Sequence, residues 1–220
     1  MSIVPLARSR LFGVLATFGL ACGLAAASAN AASTSPSPGQ LVQQNSQRVI
    51  RTLVERRAEF QAHPAALRSF VRGEFTTIFD RVYAARLVLG RNGGAASDAD
   101  VLAFADALAE SLMSRYGNSL LEVDPGLSVK IVSETPLRGG TIVKVLTRVD
   151  RKTGAPLAVD YLFHQNAGRW QAFDVIVEGV SFVQTFRTQF ADDLRRESLA
   201  QLTADLRANK IRVDAAADKL

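Results

Sequence analysis

The sequence predicts an α+β domain: a strongly twisted antiparallel sheet of about four strands with helices packed on it, helix exceeding strand. Three observations carry that expectation. Apolar residues recur at three-to-four spacing from residue 41 to about Leu120; between Leu127 and Val177 the period is two, in four runs separated by turn residues; from Ser181 the helical period returns.

The chain opens with Arg8 and Arg10, an apolar run LFGVLATFGLACGLAAA from Leu11 to Ala27, and the small residues SANAAS. That order is the pattern of a secretory signal peptide, with Ala29-Asn30-Ala31 as the cleavage site, so residues 1–31 are expected to be removed on export. The lone cysteine, Cys22, lies inside that run, and Gly19 stands where an acylation site wants a large aliphatic residue. Cleavage would leave no thiol for a disulfide, a nucleophile or a zinc-thiolate site. Residues 32–40, rich in Ser, Pro and Gly, read as a flexible leader; 41–210 read as one domain, and 211–220 as a fraying tail. Of the 26 Lys and Arg, two belong to the signal peptide, and the remainder barely exceed the 21 Asp and Glu. So small and dispersed an excess gives no case for nucleic-acid binding.

Val42, Val49, Ile50, Leu53, Val54 and Phe60 fall on one side of a helix that Pro64 ends. Leu67 to Leu89 continue at helical spacing, interrupted by Gly73, as two or three short helices, and NGGAAS reads as a loop by its glycines. Ser97 is an N-cap for a long apolar helix to about Leu120. The strands are the runs around Leu127–Ile131, TIVKVLTRV, LAVDYLFHQ and RWQAFDVIV, the last pair joined by a hairpin at Asn166-Ala167-Gly168. Gly179 then permits a turn, and Ser181 with Gln184 forms a capping box opening the next helix, which breaks near Glu197-Ser198.

In that helix Phe182, Phe186, Phe190 and Leu194 form a stripe widened by Val183. Such a stripe is ordinarily core, and it could equally line a cavity for an apolar ligand between helices and a curved sheet. Periodicity does not separate the two.

WQAFDVIVEGVSFVQTFRTQF resembles the signature of the MlaC family, also called the toluene-tolerance auxiliary transport proteins, with Trp170, Asp174, Glu178, Gly179, Ser181, Arg187 and Phe190 matching in order and spacing. FTTIFDRVYAARLVLGR, with Phe79-Asp80 and Leu89-Gly90-Arg91, resembles the family's earlier helix, and FADALAESLMSRYGNSLLE, with Tyr116, the following one. With the leader, the resemblance covers nearly the whole chain. Where family members commonly carry an aromatic residue after Leu-Gly, this chain has NGGAAS.

The resemblance implies helices wrapped around a cone-shaped sheet, as in nuclear-transport-factor-like proteins, enclosing an apolar lipid cavity. It implies a periplasmic carrier without a cofactor, whose cargo is phospholipid: tails in the cavity, head group exposed, docking alternately on an outer-membrane lipoprotein complex and on an inner-membrane ABC transporter with its MCE-domain subunit. A hopanoid-associated branch has the same plan and would change the lipid. A long acyl chain costs on the order of 10 kcal/mol to expose to water, which is the physical need for such a carrier. The expected tail contacts are Phe79, Val82, Leu112, Tyr116, Val143, Val145, Tyr161, Phe163, Val175, Phe182 and Phe186; Arg187, Arg195 and Arg196 are candidates to meet phosphate or an acidic partner. As an enzyme, the chain would have to assemble Asp174, Glu178 and His164 beside the pocket as acid and base. His63 precedes Pro64 in a loop and no cluster has metal-ligand spacing. A purely structural interaction module predicts a filled core.

Overall fold

The computed structural model describes residues 35–214; the expected signal peptide at 1–31 and the final residues 215–220 lie outside them. Helix α1 (Pro38–Glu55) starts earlier than the leader expected to reach Gln40. Ser37 Oγ accepts from the Gln40 amide at 3.3 Å and Gln40 Oε1 accepts from the Ser37 amide at 2.9 Å, so the capping box brings Pro38 and Gly39 into the fold. A kink at Arg56 separates α2 (Arg57–Ala62), and Pro64 opens α3 (Pro64–Ile78). Then follow α4 (Arg81–Leu89), α5 (Arg91–Ala95) and α6 (Asp98–Tyr116), the last tightening into a 3₁₀ segment at Gly117–Glu122.

Helix α5 occupies the stretch expected as a loop. A Cβ at Gly93 would stand 2.8 Å from the Arg86 carbonyl oxygen, so the glycine permits the close return of this turn onto α4, and the Arg86 guanidinium seals it by donating to the Gly93 carbonyl.

The sheet has five strands in sequential antiparallel order: β1 (Ser128–Leu137), β2 (Ile142–Asp150), β3 (Leu157–Asn166), β4 (Arg169–Val177) and β5 (Val180–Ser181). The fifth, of two residues, was not expected. It forms because Glu178 and Gly179, both at positive φ (47° and 81°), make a tight reversal that pairs Val177 with Val180. The chain then enters α7 (Phe182–Gln189), α8 (Asp193–Arg196) and α9 (Leu199–Arg207), interrupted around residues 190–192 as well as near Glu197-Ser198. The tail expected to fray from 211 is anchored at its start. Val213 is 1% exposed in the helical core, and the Gln189 side chain holds it on both sides, donating to the Arg212 carbonyl at 2.5 Å and accepting from the Asp214 amide at 3.4 Å.

Among the described residues, three apolar clusters make the core. One joins α4, α6, α7 and α9 through Leu89, Phe104, Phe190 and Leu202; one covers the sheet, with Val42 and Ile78 against Val143, Val145, Phe163 and Ala172; the third, around Leu53, Phe60 and Leu67, ties α1 to α2 and α3.

Candidate functional site

Strand β4 departs from the alternation its sequence implies. Its pairing with β3 slips between Leu162–Asp174 and Phe163–Ala172, leaving Phe173 as the extra residue of a bulge. Ala172, Phe173 and Asp174 are consequently all buried in succession. At the same point the corner between α3 and α4 docks on the strand: Phe79 bridges Ala172, and the Asp80 amide donates to the Ala172 carbonyl at 2.9 Å.

Asp80 is the hub of that corner. Its Oδ1 accepts from the Tyr83 amide at 2.9 Å, capping α4, while its Oδ2 meets His164 Nε2 at 3.1 Å and Asn166 Nδ2 at 2.8 Å. Tyr83 stacks on the His164 ring with centroids 4.1 Å apart, and Phe173 stands edge-on to both. The bulge therefore presents Phe173 between this polar corner and the interior.

Between the sheet and α3, α4, α6 and α7 lies a cavity of about 400 Å³, within the size range of small-molecule sites. Tyr161, Phe173 and Val175 supply its sheet side; Phe79, Leu112, Phe182 and Phe186 are among its helical walls. Space remains because Ala84 on α4 and Ala105 and Ala109 on α6 stand where larger side chains would meet the sheet. Two smaller hollows, of about 190 and 160 Å³, share Phe75 with it. Phe75, 38% exposed and stacked on Phe79 at 4.2 Å, is thus a partition common to all three.

The lining is apolar except for Asn45, Arg81, Asp174 and the Tyr161 hydroxyl. Each is held: Asn45 donates to Glu74 at 2.9 Å, and Arg81 is paired with Asp106. Asp174 accepts from the Ser181 hydroxyl at 2.6 Å and the Val183 amide at 3.1 Å, fastening the start of α7 to β4. Burial pushes its carboxyl above the usual range, and these hydrogen bonds only partly oppose that. Burial likewise pushes the Tyr161 phenol up, against a hydrogen bond with Ser46.

Of the eleven residues expected to contact tails, Phe79, Leu112, Tyr161, Val175, Phe182 and Phe186 line the cavity. Val143, Val145 and Phe163 lie in the sheet cluster, filled from above by Val42 and Ile78. Val82 and Tyr116 pack against the helical cluster, and Val82 also borders an open groove beside His164. Phe75, Phe173 and the wall alanines were not among the expected contacts: Phe173 lines the cavity beside Val175, two residues along β4, and alanine gives no apolar signal strong enough to single out.

The possible acid-base residues do not converge. His164 is engaged with Asp80, Asp174 with Ser181, and Glu178 Oε1 accepts from the Ala158 amide at 2.6 Å. Arg195 and Arg196 face Asp192, while the exposed Arg187 side chain lies under Gly90, 3.5 Å from where a Cβ there would stand. Among the described residues no group of three His, Cys, Asp or Glu is placed to hold a metal ion.

The sequence model of the MlaC protein family matches residues 43–208. The chain belongs to the MlaC family. That match takes in every element walling the cavity, so the site belongs to the part of the chain that MlaC proteins share. Over 94 residues the chain is 34% identical to the toluene tolerance protein ttg2D of Pseudomonas putida; the aligned part is 42% of each chain, less than half of that relative. A solved structure of the phospholipid-binding protein from Ralstonia solanacearum, in complex with a phospholipid, is similar to this MlaC-family fold with a TM-score of 0.69. The likeness covers 78% of this chain and 95% of that one, at 20% identity, and is one of fold.

Proposed function

We propose that this MlaC-family protein is a periplasmic carrier of phospholipid that makes and breaks no bond. The observation that carries the reading is the cavity of about 400 Å³, walled by aromatic and aliphatic side chains, with its few polar groups each partnered within the protein. Such a wall suits acyl chains. Each methylene moved from water into it is worth about 0.8 kcal/mol, so the cavity offers a chain what the aqueous gap between two membranes does not. The ttg2D relative supports placing the protein in a toluene-tolerance, Mla-type system. Its partners there are an inner-membrane ABC transporter with an MCE-domain subunit and an outer-membrane lipoprotein complex, between which lipid passes.

Mass spectrometry of the purified protein, native and after organic extraction, tests the reading. Glycerophospholipid in about a one-to-one ratio with the chain is the expected result. Hopanoid in its place would move the protein to the related branch, and no lipid under mild isolation would overturn the carrier.

A further inference from the structure

The 190 Å³ hollow beside the main cavity has an apolar floor and a charged rim. Val71, Phe75, Ala109, Leu112 and Met113 form the floor; Arg68, Arg72 and Arg81 stand around it with Asp106 and Glu110. The two helices that build it face each other with charges one turn apart, Arg68 and Arg72 on α3, Asp106 and Glu110 on α6. Arg72 pairs with Glu110 at 3.2 Å, both more than half exposed, and Arg81 pairs with Asp106. Arg68 is exposed and has no hydrogen-bond or ion-pair partner among the described residues.

Three arginines against two carboxylates leave the rim one positive charge in excess. Phe75, Arg81, Ala109 and Leu112 belong at once to this hollow and to the cavity, so the rim lies immediately beside the tail site. The Arg72–Glu110 pair is solvated and weak, and opening it costs little.

The geometry points to a head-group seat for a zwitterionic phosphate–amine lipid. The lipid phosphodiester lies against Arg68 and Arg81, and its ammonium replaces Arg72 as the partner of Glu110. This rests on the carrier reading and adds a selection to it: tails are accepted for being apolar, the lipid is chosen by its head. Arginine suits the phosphate, because its planar fork of donors can hold two oxygens at once.

Competition binding tests it on the purified, delipidated protein, with phosphatidylethanolamine, phosphatidylglycerol and diacylglycerol of identical acyl chains. The wild type should prefer phosphatidylethanolamine to diacylglycerol by about tenfold or more, the size of one charge-assisted hydrogen bond. R68Q should shrink that ratio while diacylglycerol binding holds, and R81Q should shrink it as well. E110Q should abolish the preference for phosphatidylethanolamine over phosphatidylglycerol. Should R81Q fold poorly, R68Q, whose side chain has no partner to lose, decides alone. Equal binding of the three lipids by the wild type, or ratios untouched by the substitutions, overturns the seat and leaves the carrier standing. Binding of none of the three overturns both.

Discussion

Phe163 and Tyr161 are two residues apart on one face of β3, yet they do different things. Phe163 is completely covered, with Val42, Ile78 and Ala172 in its cluster, whereas Tyr161 borders the cavity. Toward β2 the strand is regular at both positions, opposite Val143 and Val145; toward β4 the bulge falls between them. What differs is the roof. Val42 of α1 and Ile78 of α3 close over Phe163; Tyr161 packs against the same cluster but also faces the cavity, whose other walls include alanines of α4 and α6. Core and cavity are therefore decided by the size of the opposing residue, not by the face itself.

The comparison can be broken first at its filled end. Phe163→Ala should cost about 3–5 kcal/mol, the range for a fully enclosed phenylalanine, read as a lowered urea midpoint with or without lipid. A loss below about 1 kcal/mol would mean that the packing there is looser than described.

The second cut goes to the corner that positions the bulge. Asp80→Ala removes the cap of α4 and the acceptor of both His164 and Asn166. A cap alone is worth about 1 kcal/mol, so a loss of about 2 kcal/mol is expected with the further hydrogen bonds gone. Loosening Phe173 should also speed lipid release, measurable as faster transfer to acceptor vesicles.

At the open end, Phe182→Ala should behave in the opposite way to Phe163→Ala. The delipidated protein should lose less than about 1.5 kcal/mol, because the ring is only partly enclosed by protein, but lipid retention should fall clearly. Equal stability losses for the two variants would erase the distinction between them.

The smallest effect concerns Asp174, whose carboxyl burial holds above its ordinary value of 3.8. The folded chain holds that proton more tightly than the unfolded one. Its stabilising contribution is complete below the unfolded value and is lost as pH rises through the raised folded value. The stability of wild type relative to Asp174→Asn should therefore decline as pH rises above the ordinary carboxylate value of 3.8, followed by urea unfolding at each pH. Lipid transfer should be the same in both proteins, and a strong transfer defect in Asp174→Asn would reopen an acid-base role.

Much of the architecture was legible because local chemistry and tertiary structure agree. Ser97 caps α6 and Ser181 caps α7, and the Asn166-Ala167-Gly168 turn has Ala167 and Gly168 at positive φ, as a two-residue hairpin requires. The MlaC family resemblance was carried by the same corner, where Asp174 and Ser181 hydrogen-bond each other. What escaped notice depends on contacts distant in sequence. The glycines of NGGAAS looked like a loop, and only the fit of Gly93 against Arg86 makes them a helix. Val213 lies in a tail with few apolar residues and is buried because Gln189, in α7, holds the backbone on either side of it. The bulge at Phe173, set by the slip of β4 against β3, leaves no mark in the local periodicity. Along the phenylalanine stripe of α7 and its C-cap, Phe190 is wholly core, Phe186 touches both core and cavity, and Phe182 is the most open of the three to the cavity.

The central claim is that space above Tyr161 is kept for an acyl chain. Filling it is the most direct test. Ala105→Trp places a large ring in the cavity from α6, where Ala105 is a wall residue. Native mass spectrometry of that variant beside the wild type should show a folded protein without lipid next to a lipid-loaded one. A folded Ala105→Trp protein carrying as much lipid as the wild type would contradict the account.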